Sequence, residues 1–316
     1  MHPKNPPART ALSHLLRTDL ACESPRPSDS GGATYSEYRK GPITVARLTV
    51  EDPRGAEAYG KEIGTYITAH CGNILYHTER EHNTLVELLV SELSRLISAH
   101  TPSPVSPALR VLVAGLGNAH LTADALGPLT AARLPVTRHL HASEDPALIR
   151  ERERFASISV VAPGVLAETG IEAAELIRNA ARSVSPHLVI VIDALAARSC
   201  ERLTGTVQIA DSGIRPGSGV GNDRGAINEI SIGCPVIAIG VPTVVDSSAL
   251  VLDALHRAGI REEEIGKELT AVLENGISFF VSPKEIDAIV DAFAALITEV
   301  LTEALSVPPF SCSPPR

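Results

Sequence analysis

From residue 110 onward, apolar runs of strand length alternate with stretches of helical periodicity, and this alternation constrains the fold more than any other feature. The runs fall at 110–115, 157–161, 188–193, 206–210 and 235–241. Helices fit at 123–134, 169–183, 247–258 and 283–305. Strands that are apolar on both faces need cover on both sides. The expected fold is therefore α/β, a mostly parallel sheet flanked by helices. The last helix has a start signal, with Ser282 as cap, Pro283 at the first helical position and Glu285 completing a capping box. Upstream, 43–50 and 63–68 are β-branched and roughly alternating, an N-terminal β-containing extension. Leu85, Leu88, Leu89, Leu93, Leu96 and Ile97 mark one apolar face of a helix over 82–99. Residues 1 to about 42 are rich in Pro, Ser, Gly and charge and read as extended or mobile. A single domain over 43–307 and a flexible tail over 308–316 complete the division.

Composition removes several function classes. The formal charge of -9 lacks the basic excess of a nucleic-acid binder, and 3% aromatic residues leave little for base stacking. The five cysteines, Cys22, Cys71, Cys200, Cys234 and Cys312, are odd in number and contain no C-x-x-C, which suits a reducing cytoplasm. No apolar run approaches bilayer-spanning length, and the amino terminus carries no apolar signal region. Neither nucleic acid nor membrane is expected as a partner.

Two aspartates stand where apolar strands end. Asp124 follows the strand 110–115 and its Gly115-Leu116-Gly117-Asn118 turn, and Asp193 follows Val189-Ile190-Val191-Ile192. Ligands of open α/β sheets bind beyond the carboxyl ends of the strands. Two carboxylates meeting there can work on one water molecule. Each also has a structural reading, Asp124 in a first helical turn capped by Thr122 and Asp193 as an acceptor of nearby backbone N–H groups. The Gly115-Leu116-Gly117 turn invites dinucleotide binding, but His120 replaces the third glycine of the fingerprint. It also reads as a tight turn that needs close backbone approach. The Asp211 to Asn222 loop holds four glycines within nine residues. It reads as an anion-binding array of N–H groups or as a long turn. Asp246 is a further site candidate or a helix cap. A histidine joining Asp124 and Asp193 would make a carboxylate-rich metal site, although the histidines form no H-x-x-x-H pair. No G-x-S-x-G anchors a serine triad.

Several stretches resemble the germination protease family of spore-forming Firmicutes. They include Arg17-Thr18-Asp19-Leu20-Ala21, Thr122-Ala123-Asp124-Ala125-Leu126-Gly127-Pro128, Ile192-Asp193-Ala194-Leu195-Ala196-Ala197-Arg198-Ser199, the glycine loop, and Ile239-Gly240-Val241-Pro242-Thr243-Val244-Val245-Asp246. The matches run in order from about residue 17 to about 305. The resemblance implies an endopeptidase of the spore core that degrades small acid-soluble spore proteins at germination. It implies a homotetrameric zymogen, a fold like that of hydrogenase-maturation endopeptidases, and an aspartic-type dyad on Asp124 and Asp193. It calls for no cofactor or metal. Family specificity for an acidic residue, then a large apolar residue, then alanine fits a cut between Asp19 and Leu20. Residues 1–19 would then be the propeptide and 20–42 a flexible segment. An acidic side chain before the cut asks for a cationic site, for which Arg138, Arg198 and Arg215 are candidates, with Gly217 and Gly219 also in contact with substrate. Two features depart from the family pattern. The region 247–281 is short, and Leu16 stands where relatives carry an acidic residue. The competing readings are a metal-dependent maturation peptidase of the same fold and a non-catalytic nucleotide or anion binder.

Overall fold

The computed structural model describes residues 18–24, 31–102, 104–221, 224–261, 264–275 and 279–307. The strands are β1 (Ala33–Lys40), β2 (Ile43–Val50), β3 (Gly64–His70), β4 (Arg110–Gly115), β5 (Ser157–Val161), β6 (Leu188–Ala197), β7 (Thr206–Ala210), β8 (Val236–Asp246) and β9 (Phe280–Val281). The helices are α1 (Pro53–Tyr59), α2 (Glu79–His100), α3 (Leu126–Arg133), α4 (Pro146–Arg152), α5 (Leu166–Thr169), α6 (Ala173–Val184), α7 (Glu229–Ile232), α8 (Ser247–Arg257), α9 (Lys267–Asn275) and α10 (Ile286–Ala304).

The strands form one sheet in the order β1-β2-β3-β7-β8-β6-β4-β5, with β9 pairing β8. The α/β class holds, and the sheet is mixed. Strands β8, β6, β4 and β5 are parallel, while β1, β2, β3 and β7 run antiparallel to their neighbours. The N-terminal strands thus join the main sheet through β7. Side chains alternate between faces along a strand. Val111 and Val113 join the core beneath α2, α3 and α10, whereas Leu112 and Ala114 pack with Ala174, Ile177 and Ala181 of α6. Both faces are covered, as the all-apolar strands require. The stripe on α10 is buried at Ile289, Val290, Phe293, Leu296, Ile297, Val300 and Leu301.

Three local differences have physical causes. Strand β6 continues to Ala197, because pairing with β8 persists to Ala197↔Val245 through a register shift. Helix α10 opens at Ile286 with Glu285 at the cap position and no side-chain cap bond. Val281 is still paired to β8, so Ser282 and Pro283 lie in the exit from that strand. Ala33–Lys40 forms an edge strand inside the stretch whose composition reads as extended or mobile, with charged side chains on its exposed flank. Residues 1–17 of the expected propeptide, 25–30 of the segment after it and the 308–316 tail lie outside the described residues. Among the described residues no helix is long and apolar enough to cross a membrane.

Candidate active site

The neighbouring parallel strands β4 and β6 send their chain connections to opposite sides. The chain leaves β4 through α3 on one face and reaches β6 from α6 on the other. A crevice opens beyond the carboxyl ends at such a switch point. Asp124, in the connection that leaves β4, and Asp193, on β6, both line one cavity of about 440 Å³.

Asp124 closes a 3₁₀ turn, Thr122–Asp124, ahead of α3. Thr122 makes no cap; Leu121 occupies that position. Glycines let this turn fold back on β4. A Cβ on Gly115 would lie 2.2 Å from the Gly127 carbonyl oxygen, and one on Gly117 would lie 2.0 Å from that of Asp124. Gly117 also has φ +110. The close-approach reading therefore accounts for these glycines. The turn delivers the Asn118 N–H to Asp124 Oδ2 at 2.8 Å.

Asp193 lies within β6, one residue past the last β4 pair at Gly115↔Ile192. It is 6% exposed and accepts the Ala194 N–H at 3.0 Å. Burial pushes its carboxyl well above the ordinary carboxylate range, and the charges of Asp124 and Asp19 push the same way. Burial also raises Asp124, opposed by the Asn118 N–H and by the Arg224 guanidinium. Arg224 lines the cavity and favours the ionised form of both aspartates. Sequence reasoning missed it, because nothing near residue 224 in the chain signals two aspartates met only in the fold. Among the described residues no histidine lines this cavity. Nor does any group of three or more His, Cys, Asp and Glu side chains form an arrangement that could hold a metal ion.

The segment 18–24 lies against the same site. Asp19 pairs with β6, donating its N–H to the Ala196 carbonyl at 3.0 Å and accepting the Ala196 N–H on Oδ2 at 2.8 Å. Ser218 donates its hydroxyl to Asp19 Oδ1 at 2.7 Å. Gly219 admits that carboxylate, since a Cβ there would stand 2.3 Å from Asp19 Oδ2. Leu20 is fully buried with Leu195, Ala197, Leu203, Val245 and Ala249. Glu23 accepts the Thr18 hydroxyl and the N–H groups of Arg198 and Ser199, the latter two at 2.8 and 3.0 Å.

The remaining candidates separate. Gly217 lines the aspartate cavity with φ +78 and begins the short turn that carries Ser218 and Gly219. Arg198 and Arg215 line a second cavity of about 610 Å³ that also reaches Asp19. Arg198 offers its backbone to Glu23, and the Arg215 guanidinium pairs with Glu62 at 2.8 Å. Arg138 is exposed in a 3₁₀ turn following α3 and lines neither cavity. The Asp19 carboxylate is held by a hydroxyl and an amide where arginines were expected. Asp246 caps α8, accepting the Ser248 N–H at 2.7 Å. Asn222 of the glycine loop lies outside the described residues.

Residues 15–258 match the family model described as germination protease. A germination protease of Caldanaerobacter subterraneus subsp. tengcongensis is 37% identical over 314 residues, covering 92% of this chain and 94% of that protein. One from Priestia megaterium is 37% identical over 282 residues, covering 84% and 74%. One from Clostridium perfringens is 35% identical over 317 residues, covering 92% and 95%. Among solved structures, the [NiFe] hydrogenase maturation protease HycI from Thermococcus kodakarensis aligns with a TM-score of 0.34 and 19% identity, over 66% of this chain and 97% of that one. By the family model and by relatives that match along most of its length, the chain belongs to the germination protease family and is a peptidase.

Proposed function

We propose that this chain is a self-processing endopeptidase zymogen that degrades small acid-soluble spore proteins in the spore core at germination, with Asp124 and Asp193 activating water. The observation that carries the reading is the shared cavity. One carboxyl from the turn after β4 and one from β6 line it, and burial raises both, most strongly Asp193. Two close carboxyls do not both ionise easily, so the pair holds one proton and titrates as a unit. Asp193, the more buried, keeps the proton and polarises the scissile carbonyl. Asp124, supported by the Asn118 N–H, takes a proton from water. General acid–base work of this kind contributes about 10²–10⁴-fold, and positioning supplies the rest.

The zymogen reading draws support from Asp19, whose carboxyl stands at the wall of the cavity with its charge felt by Asp193. Self-cleavage between Asp19 and Leu20 would remove residues 1–19. The test is incubation of the purified protein with a small acid-soluble spore protein, followed by mass mapping. The reading expects a cut between an acidic and a large apolar residue; an intact substrate after the zymogen has processed overturns it. Dialysis against a strong chelator should leave the rate unchanged. A loss restored by added metal would favour the metal-dependent alternative.

A further inference from the structure

Between the two cavities lies the main chain of Asp19. Its carbonyl oxygen accepts Lys61 Nζ at 2.9 Å and Gln208 Nε2 at 3.1 Å. Both donors line the 610 Å³ cavity, while Asp124 and Asp193 line the other, and Asp19 belongs to both walls. Docking alone would be served by backbone pairing, as the Asp19 N–H shows with Ala196. Here two side-chain donors, one of them cationic, converge on a single carbonyl.

We infer that Lys61 and Gln208 are catalytic residues of self-cleavage, an oxyanion site for the carbonyl of Asp19. The inference rests on the reading that Asp19–Leu20 is the bond cut. Gln208 is buried, and its amide orientation is fixed. Its Oε1 accepts the Ala21 N–H at 2.7 Å, so Nε2 must face Asp19. The Thr68 hydroxyl, 3.3 Å away, adds a second donor to that oxygen. One amide thus grips the main chain on both sides of the Asp19–Leu20 bond. Lys61 follows the left-handed cap of α1 at Gly60, and its backbone N–H bonds the Ala56 carbonyl at 3.2 Å. Its ammonium also donates to the Thr18 carbonyl at 3.3 Å. Preorganised donors removed from bulk water stabilise developing charge at low reorganisation cost.

The step balances as a hydrolysis. Water adds to the Asp19 carbonyl carbon and gives one proton to the ionised member of the aspartate pair. The C=O π electrons move to oxygen, where Lys61 and Gln208 join the neutral aspartic acid in holding them. The oxyanion then re-forms the C=O bond as the C–N bond breaks; the C–N electrons pass to the Leu20 nitrogen, and that nitrogen takes the proton of the neutral aspartic acid. The products are a new carboxyl group on Asp19 and a free amine on Leu20.

The test follows the appearance of the Leu20 amino terminus by intact mass in full-length wild type, Lys61→Met, Lys61→Arg, Gln208→Leu, Gln208→Glu and Asp193→Asn. Gln208→Glu keeps the shape and the bond to Ala21 while losing the donor, which covers a Gln208→Leu chain that fails to fold. Removing one oxyanion donor typically costs ~10²–10³ in rate, so Lys61→Met, Gln208→Leu and Gln208→Glu should each slow by that much, and Lys61→Arg should keep at least about a tenth of the wild-type rate. Wild-type processing in folded Lys61→Met and Gln208→Glu, with Asp193→Asn inactive, overturns this inference and leaves the aspartate pair standing. Wild-type processing in Asp193→Asn strikes the aspartate reading instead.

Discussion

The role proposed for Asp193 comes at a cost in folding stability. Asp193 is 6% exposed, and among the described residues its carboxyl accepts one hydrogen bond, from the Ala194 N–H. Burial raises its folded pKa well above the ordinary value of 3.8. Below that value the carboxyl is protonated in both folded and unfolded chains and costs nothing. As the pH climbs, the unfolded chain ionises first, so folded stability falls until the folded carboxyl ionises in its turn. Asp193→Asn removes this loss. Thermal unfolding should show the variant melting above wild type at pH 7, with the gap closing as the pH falls toward 3.8. A variant less stable than wild type at pH 7, by a margin independent of pH, would remove the strained carboxyl from the account. Gly219 matters for a different reason. A methyl there meets the Asp19 carboxylate, so Gly219→Ala should expel the segment 18–24 and slow self-processing while the sheet persists. Intact-mass kinetics would read the change.

At the scale of elements, the turn between β4 and α3 decides where Asp124 points. Gly117→Ala combines a positive φ with a contact of 2.0 Å, so it should destabilise by roughly 1–3 kcal/mol and depress cleavage. Urea unfolding alongside a peptide assay would measure both. Helix α10 is held by Phe293, which is fully buried, and Phe293→Ala should cost about 3–5 kcal/mol without altering the pH dependence of cleavage. These elements were legible in the sequence because their signal is local. The β-branched runs of β4, β5 and β7 and the stripe of α10 announce themselves within a few residues. Two aspartates beyond apolar strands could likewise be placed at one end of a sheet. The second half of β6 was not legible, since Ala194-Leu195-Ala196-Ala197 has little strand preference and is extended through its pairing with β8. Arg224, Lys61 and Gln208 escaped notice for a related reason. Each gains meaning from a partner far away in the chain, Asp124 and Asp193 for the first and Asp19 for the others. Arg138 shows the converse: its charge suited the task, and its turn lines neither cavity.

Taken whole, the molecule joins a parallel half, which carries the aspartates, to an antiparallel half, which carries Lys61 just before β3 and Gln208 on β7. The segment 18–24 crosses the seam, pairing with β6 while bonding to Gln208. Neither half could present Asp19 alone, which ties the proposed self-processing to the completed sheet. The family resemblance also implies a homotetramer, which we propose for this chain. Sedimentation equilibrium should give four times the chain mass of 33.3 kDa, and a monomer at all concentrations would refute it. The central claim is that Asp124 and Asp193 act together on one water molecule, and groups that act as a unit are strongly non-additive when removed. The direct measurement is peptide-cleavage turnover in Asp124→Asn, Asp193→Asn and the double variant, each confirmed as folded. The account predicts that each single variant loses ~10²–10⁴-fold or more and that the double variant is little worse than the poorer single. Wild-type turnover in either single variant, or losses that multiply in the double, would contradict it.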